Sequence, residues 1–220
     1  MSRCADELCA GCPLRKETAP RAEKDHFFVE EYLAAEGLPW SSFRPMYLYG
    51  PHAAKDSVEW VFDRGVRGRP VPLPGSGDQL TSLTHFADAA GMLAAAAGEP
   101  RAVGEAFNCC SDVPVTFRGL VEAAAAAAGA EDVRVVTYPC AGAKAAGFPF
   151  RAGHFCATPA KAQVLLGWSA AHHPLDDLPA ELARYDAAGR RGAEVDFSAD
   201  DAHLAEAAAA AAAGGGGALN

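Results

Sequence analysis

Nothing in this 220-residue chain is apolar for long enough to cross a bilayer, since the alanine run Ala207–Ala213 is short and only weakly apolar. The opening MSRCADELCAGCPLRKETAPR has no apolar core of about 7–15 residues, which excludes a secretory signal there. The early acids Asp6 and Glu7 are equally unlike a transit peptide. Cysteine is present without a framework: seven residues, an odd number at uneven spacing, imply a reducing compartment. Cys9-x-x-Cys12, with Cys4 nearby, has no second CxxC or HxxxH to complete a four-ligand set, so free thiols are expected. Positive charge is in deficit. With 19 Lys and Arg against 28 Asp and Glu, the net charge of −9 excludes a protein that grips nucleic acid with its whole surface, though not one with a local basic patch. A dinucleotide fingerprint is also missing. Such a site needs a strand, a glycine-rich turn and a helix N-terminus for the pyrophosphate, then an acid about 20 positions on for the ribose. Gly75-Ser76-Gly77 lacks the third glycine and is read as joining two strands, and Gly214–Gly217 follows polyalanine.

What remains suffices for a core. A 220-residue chain that is 50% hydrophobic forms one domain or most of one. Residues 1–19 read as irregular, and a helix follows from near Pro20 to Ala35. Its expected apolar face is Phe27, Phe28, Val29, Tyr32 and Leu33, and Gly37 stops it. Trp40 to Tyr47 reads as a strand with a bulge or edge at Pro45. A helix over Asp56–Val66, capped by Asp56 or Ser57, buries Val58, Val61, Phe62 and Val66. The organising stretch runs from Trp60 to Leu93: helix end, short strand (Val71, Leu73), turn over Gly75–Gln79, strand from Leu80 to Thr84, and a helix from near Phe86. Strands are expected at Glu105–Cys109 and Asp132–Tyr138. Further helices run from the Thr116 cap to Gly129, from Thr158-Pro159 to Gly167, and over Leu175–Ala188. Residues 139–153 read as a loop, and 201–220 as a low-complexity Ala/Gly tail with 20–200 as the α/β domain before it.

Two basic words stand out. Arg64, Arg67 and Arg69 lie together with only Asp63 adjoining, while Asp176, Asp177, Glu181, Asp196, Asp200 and Asp201 lie far off in the chain, so the charge looks polarised. These arginines either complement a helix C-terminus or contact phosphate. The second word is Phe148-Pro149-Phe150-Arg151 with His154-Phe155, preceded by Lys144. Its rings either stack on unpaired bases or belong to the core. Asp63, Asp78 and Asp88 are the carboxylates near the first word that could reach a divalent metal such as Mg²⁺. Asp78 suits its turn and Asp88 the first turn of its helix, so no metal ligand is assigned.

The central stretch, with FRPMYLYGP (Phe43 to Pro51) upstream and FPFRAGHFCATPAKAQVLLGW (Phe148 to Trp168) downstream, resembles the extended short-chain dehydrogenase/reductases of the epimerase/dehydratase type. Within that superfamily the wording is closest to the chloroplast stem-loop RNA-binding family. The resemblance covers residues from about 13 to 204. It implies an α/β fold: an incomplete Rossmann-like reductase, comprising the C-terminal half and a small substrate-domain-like region. The nucleotide-binding half is expected to precede Met1, with residues 1–50 less ordered than 55–190. The family's catalytic Tyr-x-x-x-Lys falls on Ala22 and His26, and no Tyr-x-x-x-Lys occurs anywhere in the chain. Alanine moves no proton, so oxidoreductase chemistry and tight cofactor binding are not expected. The resemblance implies instead chloroplast RNA binding through Arg64, Arg67, Arg69, Lys144, Arg151 and His154, metal-assisted endoribonuclease activity, transcript and rRNA processing, and association with ribosomes and a related paralogous subunit. A nucleotide-sugar epimerase and a non-catalytic ribosome-associated scaffold are the alternatives.

Overall fold

The computed structural model describes residues 26–53, 55–130 and 132–214. Ala22, Cys4, Cys9, Cys12, the segment 1–19 and Gly215–Gly217 lie outside the described residues, and His26 is described by its backbone alone. In chain order the elements are α1 (His26–Ala35), β1 (Ser41–Pro45), β2 (Tyr47–Tyr49), α2 (Val58–Gly65), β3 (Val71–Pro74), β4 (Leu80–Thr81), β5 (Leu83–His85) and α3 (Phe86–Ala96). There follow β6 (Glu105–Cys109), β7 (Val115–Thr116), α4 (Phe117–Ala127), β8 (Val135–Tyr138), α5 (Ala160–Leu166), α6 (Leu178–Ala187) and α7 (Ser198–Gly214). None of these helices is long and apolar enough to cross a membrane.

The pairing is mostly parallel: β1 with β6, β2 with β5 and β3 with β8, while β4 runs antiparallel to β7. β1 and β2 are one extended segment that changes partner at Met46. There the backbone N–H of Met46 donates to Cys109 O at 3.1 Å, and Thr84 Oγ1 donates to the same carbonyl at 2.5 Å. The expected strand at 80–84 likewise divides, its first half pairing with β7 and its second with β2. The turn between β3 and β4 uses left-handed backbone at Gly75 and Gly77, so it joins two strands as expected.

Two apolar clusters result. In one, Val58, Val61 and Phe62 of α2 meet Val71 and Leu73 of β3, Leu120, Val121 and Ala124 of α4, and Leu178 and Tyr185 of α6. In the other, Met92, Ala102, Phe107, Cys109, Ala162 and Trp168 join α3, β6 and α5. Full burial of each Leu or Phe here contributes about 1.5–3 kcal/mol. Cys109 and Cys110 are buried free thiols, and burial pushes them up to about 11 and about 12. Helix ends follow local chemistry: Thr116 Oγ1 accepts from Gly119 N at 2.9 Å, and Gly37, Gly129 and Gly167 take left-handed backbone at three C-termini.

Three expectations are corrected. The apolar face assigned to α1 lies on the surface, with Phe28 48% and Tyr32 54% exposed, because no described element packs there closely enough to bury it. Ser57 holds the N-cap position of α2 but without the expected side-chain cap: its Oγ donates to Leu48 O at 3.3 Å, and both Asp56 oxygens accept from Arg190 at 2.7 Å. The boundary placed at residue 201 falls inside α7, whose first turns pack on β3 and β8, and His203 stacks on Tyr138 with ring centroids 4.0 Å apart.

Backbone amides of α1 are expected to exchange with deuterium before those of α2 and α4, because α1 rests on fewer buried side chains. Peptide-level exchange measured by mass spectrometry checks the order, and protection of α1 equal to that of α4 refutes it.

Candidate functional site

The first basic word is absorbed by the fold. Arg64 Nε and Nη2 donate to the two oxygens of Asp200 at 2.8 and 2.7 Å, and Nη1 donates to Trp60 O at 2.8 Å. The guanidinium lies 3.8 Å from the Trp60 ring, with its side chain 4% exposed. Arg67 donates to Asp63 O, Tyr185 Oη, Arg190 O and Ala193 O at 2.7–3.0 Å. Arg69 pairs with Asp201 and stacks on Phe197 at 4.3 Å. Two of the acids thought remote in charge, Asp200 and Asp201, are therefore partners of Arg64 and Arg69. The chain after Gly189 folds back across the end of α2, and Asp200 and Asp201 occupy the first turn of α7, where negative charge also suits the helix dipole. The expected phosphate contacts by Arg64 and Arg67 are thus corrected: their donors are committed to the protein.

The second word behaves otherwise. Lys144 and Arg151 face each other as an antiparallel bridge, and no carboxylate lies within ion-pair distance of either among the described residues. Arg151 lies over the half-buried Phe155 ring at 4.2 Å, and its backbone N–H donates to Tyr47 Oη at 2.7 Å. The exposed His154 accepts from Leu80 N through Nδ1 at 3.1 Å, which ties it to the turn where Arg118 donates to Ser76 O at 3.0 Å. The structure therefore gathers Lys144, Arg151 and His154, and adds Arg118, which has no basic neighbour in sequence to mark it. Phe148 and Phe150 are core residues, edge-on to Trp60 and Tyr47 respectively, so they are not stacking platforms for bases.

A third group was not foreseen. At the ends of β2 and β5, the rings of His85 and His172 stack with centroids 3.6 Å apart and planes at 25°. Tyr49 Oη donates to Asp177 Oδ2 at 2.7 Å, and His172 Nδ1 lies 3.1 Å from the same oxygen. Asp88 holds the loop that carries His172, accepting from Ala171 N at 3.0 Å and His172 N at 3.1 Å. His85 Nδ1 accepts from Ala87 N at 3.3 Å and so caps α3. Gly50 makes room for this imidazole: its φ is +98°, and a Cβ there would stand 2.6 Å from His85 Nε2. Burial, then the neighbouring His172, push the His85 pKa below its ordinary 6.5. Burial and the Asp177 hydrogen bond push the Tyr49 phenol up. No local signal marks these residues, because β5, the 167–177 loop and the start of α6 meet only in the folded chain.

The residues weighed for a dinucleotide or for Mg²⁺ are engaged within the protein. For the dinucleotide, the turn at Gly75–Gly77 is filled by the protein itself: a Cβ on Gly75 would meet Gln79 Nε2 at 2.1 Å, and one on Gly77 would meet Leu73 at 3.1 Å. For Mg²⁺, the carboxylates do not converge. Asp63 accepts from Tyr185 Oη at 2.7 Å, Asp78 lies 3.7 Å from Arg118, and Asp88 clamps the loop. Ala22 lies outside the described residues.

Parallel pairs β1–β6 and β2–β5, with α3 and α5 over β6, make the C-terminal part of a Rossmann-like sheet. Residues 26–110 match the NAD dependent epimerase/dehydratase family. The fold is Rossmann-like and is shared with solved epimerases. A solved epimerase from Methanothermobacter thermautotrophicus superposes with a TM-score of 0.60 at 17% identity, over 77% of this chain and 50% of that one. UDP-glucuronic acid 4-epimerase from Bacillus cereus gives 0.60 at 16% identity, over 74% and 50%. In sequence, the chain is 34% identical over 211 residues to the chloroplast stem-loop binding protein of 41 kDa b from Arabidopsis thaliana, covering 90% of this chain and 56% of that protein. The chain thus spans about half the length of the relatives it matches.

Arg64→Ala is expected to cost about 3–5 kcal/mol by leaving Asp200 buried and unpaired, whereas Arg64→Met with Asp200→Leu recovers most of it; urea titration measures both. The depressed His85 pKa carries a second expectation. Below 6.5 and down to that value the unfolded chain binds more protons than the folded one, so stability falls as the pH drops below about 7. His172, Asp177, Asp88 and Glu181 face this imidazole and shape the transition. His85→Asn, which keeps a capping acceptor, should flatten the pH dependence in thermal unfolding, and an unchanged profile would contradict this.

Proposed function

We propose that this chain binds structured RNA of the stem-loop kind in the chloroplast. The observation that carries the reading is its 34% identity to the Arabidopsis chloroplast stem-loop binding protein over 90% of the chain. The geometry supports one RNA-facing surface above others: Lys144, Arg151 and His154, with Arg118 beside them. The Lys144, Arg151 and Arg118 cations reach solvent without a carboxylate bound tightly to them, Arg118 being 3.7 Å from Asp78, and His154 stands beside them tied to Leu80 N. Arginine offers phosphate a planar pair of donors, and the Arg151–Phe155 stack offers an unpaired base a flat surface. Arg69, 30% exposed and paired with an exposed Asp201, stands at the margin of the first word as a weaker phosphate donor.

The reading extends to endoribonuclease cleavage with a divalent ion, to transcript and ribosomal-RNA processing, and to association with ribosomes and a related paralogous subunit. Co-sedimentation with ribosomes and cleavage of a labelled stem-loop are its assays. The epimerase alternative is supported by the fold alone, which does not set chemistry.

Filter binding to a stem-loop RNA over a salt series tests the surface. Lys144→Ala with Arg151→Ala should weaken binding and reduce the slope of log K against log salt by roughly 0.7–0.9 for each phosphate that is no longer neutralised. Arg101→Ala, which removes an exposed cation held by Glu99, should change neither. An unaltered slope in the double variant removes this loop from the interface.

A further inference from the structure

We propose that His85, His172 and Asp177 form a binding site for a divalent transition-metal ion of the zinc class. One ligand atom from each lies within 4.8 Å of the others, and no other such group of three His, Cys, Asp or Glu occurs among the described residues. The three come from the end of β5, the loop before α6 and the residue preceding α6. The site stands on its own geometry and does not rest on the RNA reading.

The surroundings fix the donors in place. Asp88 accepts both backbone N–H groups of Ala171 and His172, and Trp168 Nε1 donates to Asp88 O at 3.2 Å, so the loop bearing His172 is anchored to α3. His85 is held against the Gly50 backbone. Tyr49 Oη and His172 Nδ1 both address Asp177 Oδ2, which leaves Oδ1 open to a cation. His172 and Asp177 are partly exposed, so an ion reaches the cluster from solvent, while Glu181 adds negative charge nearby.

Donor chemistry selects the ion. Two imidazoles and one carboxylate suit zinc, cobalt or nickel, whereas Mg²⁺ and Ca²⁺ favour oxygen donors. Metal–donor bonds of about 2.0–2.1 Å place tetrahedral donors roughly 3.4 Å apart, so the trio draws together and the His85–His172 stack opens as both rings turn their nitrogens to the ion. Three protein ligands leave a fourth position for water.

Cobalt(II) titration of the full chain, followed by visible absorption, tests this. Cys9→Ser with Cys12→Ser removes the CxxC thiolates, whose ligation would announce itself by a near-ultraviolet charge-transfer band. This parent is expected to take up one equivalent of cobalt with ligand-field bands only, displaceable by zinc. Within it, Asp177→Asn, which keeps an acceptor for Tyr49, and His172→Ala should each bind at least about tenfold more weakly, with the far-ultraviolet circular dichroism unchanged. If His172→Ala fails to fold, Asp177→Asn decides alone. Absence of cobalt uptake in the parent lacking Cys9 and Cys12, or undiminished uptake in Asp177→Asn, overturns the proposal.

Discussion

The fold closes on the buried ion pair between Arg64 and Asp200. One guanidinium is held at both ends by a carboxylate 136 residues away and covered by an indole one turn earlier in the same helix. Removing two charges from water is costly, and in a low-dielectric site their attraction offsets that cost only when the geometry is close and the remaining donors are satisfied. Both conditions are met here, because Arg64 also donates to Trp60 O. The pair draws α7 against β3 and β8 and sets the last segment of the chain across the end of α2. Arg67 repeats the device with backbone carbonyls at 190 and 193, and Arg69 with Asp201. A cluster that reads as a nucleic-acid grip is therefore a clasp.

Asp88 plays a comparable part on the other side of the molecule. A single carboxylate at the start of α3 accepts two successive backbone N–H groups, and so delivers His172 to a stack with His85. The two apolar clusters and the ends of β2 and β5 meet near this point, since Tyr49 belongs to one cluster and Trp168, bonded to Asp88, to the other. In this way the sheet end, where substrate chemistry lies in open α/β folds, keeps an organised polar group. The glycine turn between β3 and β4 is filled by protein side chains.

Much of the architecture was legible because it is written locally. Thr116 and Gly129 bracket α4, Gly37 and Gly167 stop their helices, and Gly75–Gln79 turns β3 into β4, all through chemistry confined to a few residues. The order of strands and helices was likewise readable from the words around Phe43–Pro51 and Phe148–Trp168. What failed to show was long-range pairing. Asp200 and Asp201 were placed apart from the arginines because sequence distance says nothing of spatial distance. The exposed face of α1 was assigned to a core because periodicity reports amphipathic character and not the presence of a partner. His172 and Asp177 carry no local signature, and nothing in the alanine-rich wording of α7 marked the ion pairs that its first turn makes. Of the candidate RNA-facing residues, Lys144, Arg151 and His154 were found as a word and are held together as a surface.

Gly50 carries one last implication, about how this chain tolerates change. The position is restricted twice: by a φ of +98°, and by the imidazole that occupies the volume of a would-be side chain. These restrictions are unequal in direction. A variant that trims His85 empties the volume yet leaves the dihedral demand, so glycine still serves best at position 50. A variant that places any side chain at position 50 must displace His85, and with it the cap of α3 and the histidine stack. Drift at the first position thus reaches much further through the molecule than drift at the second.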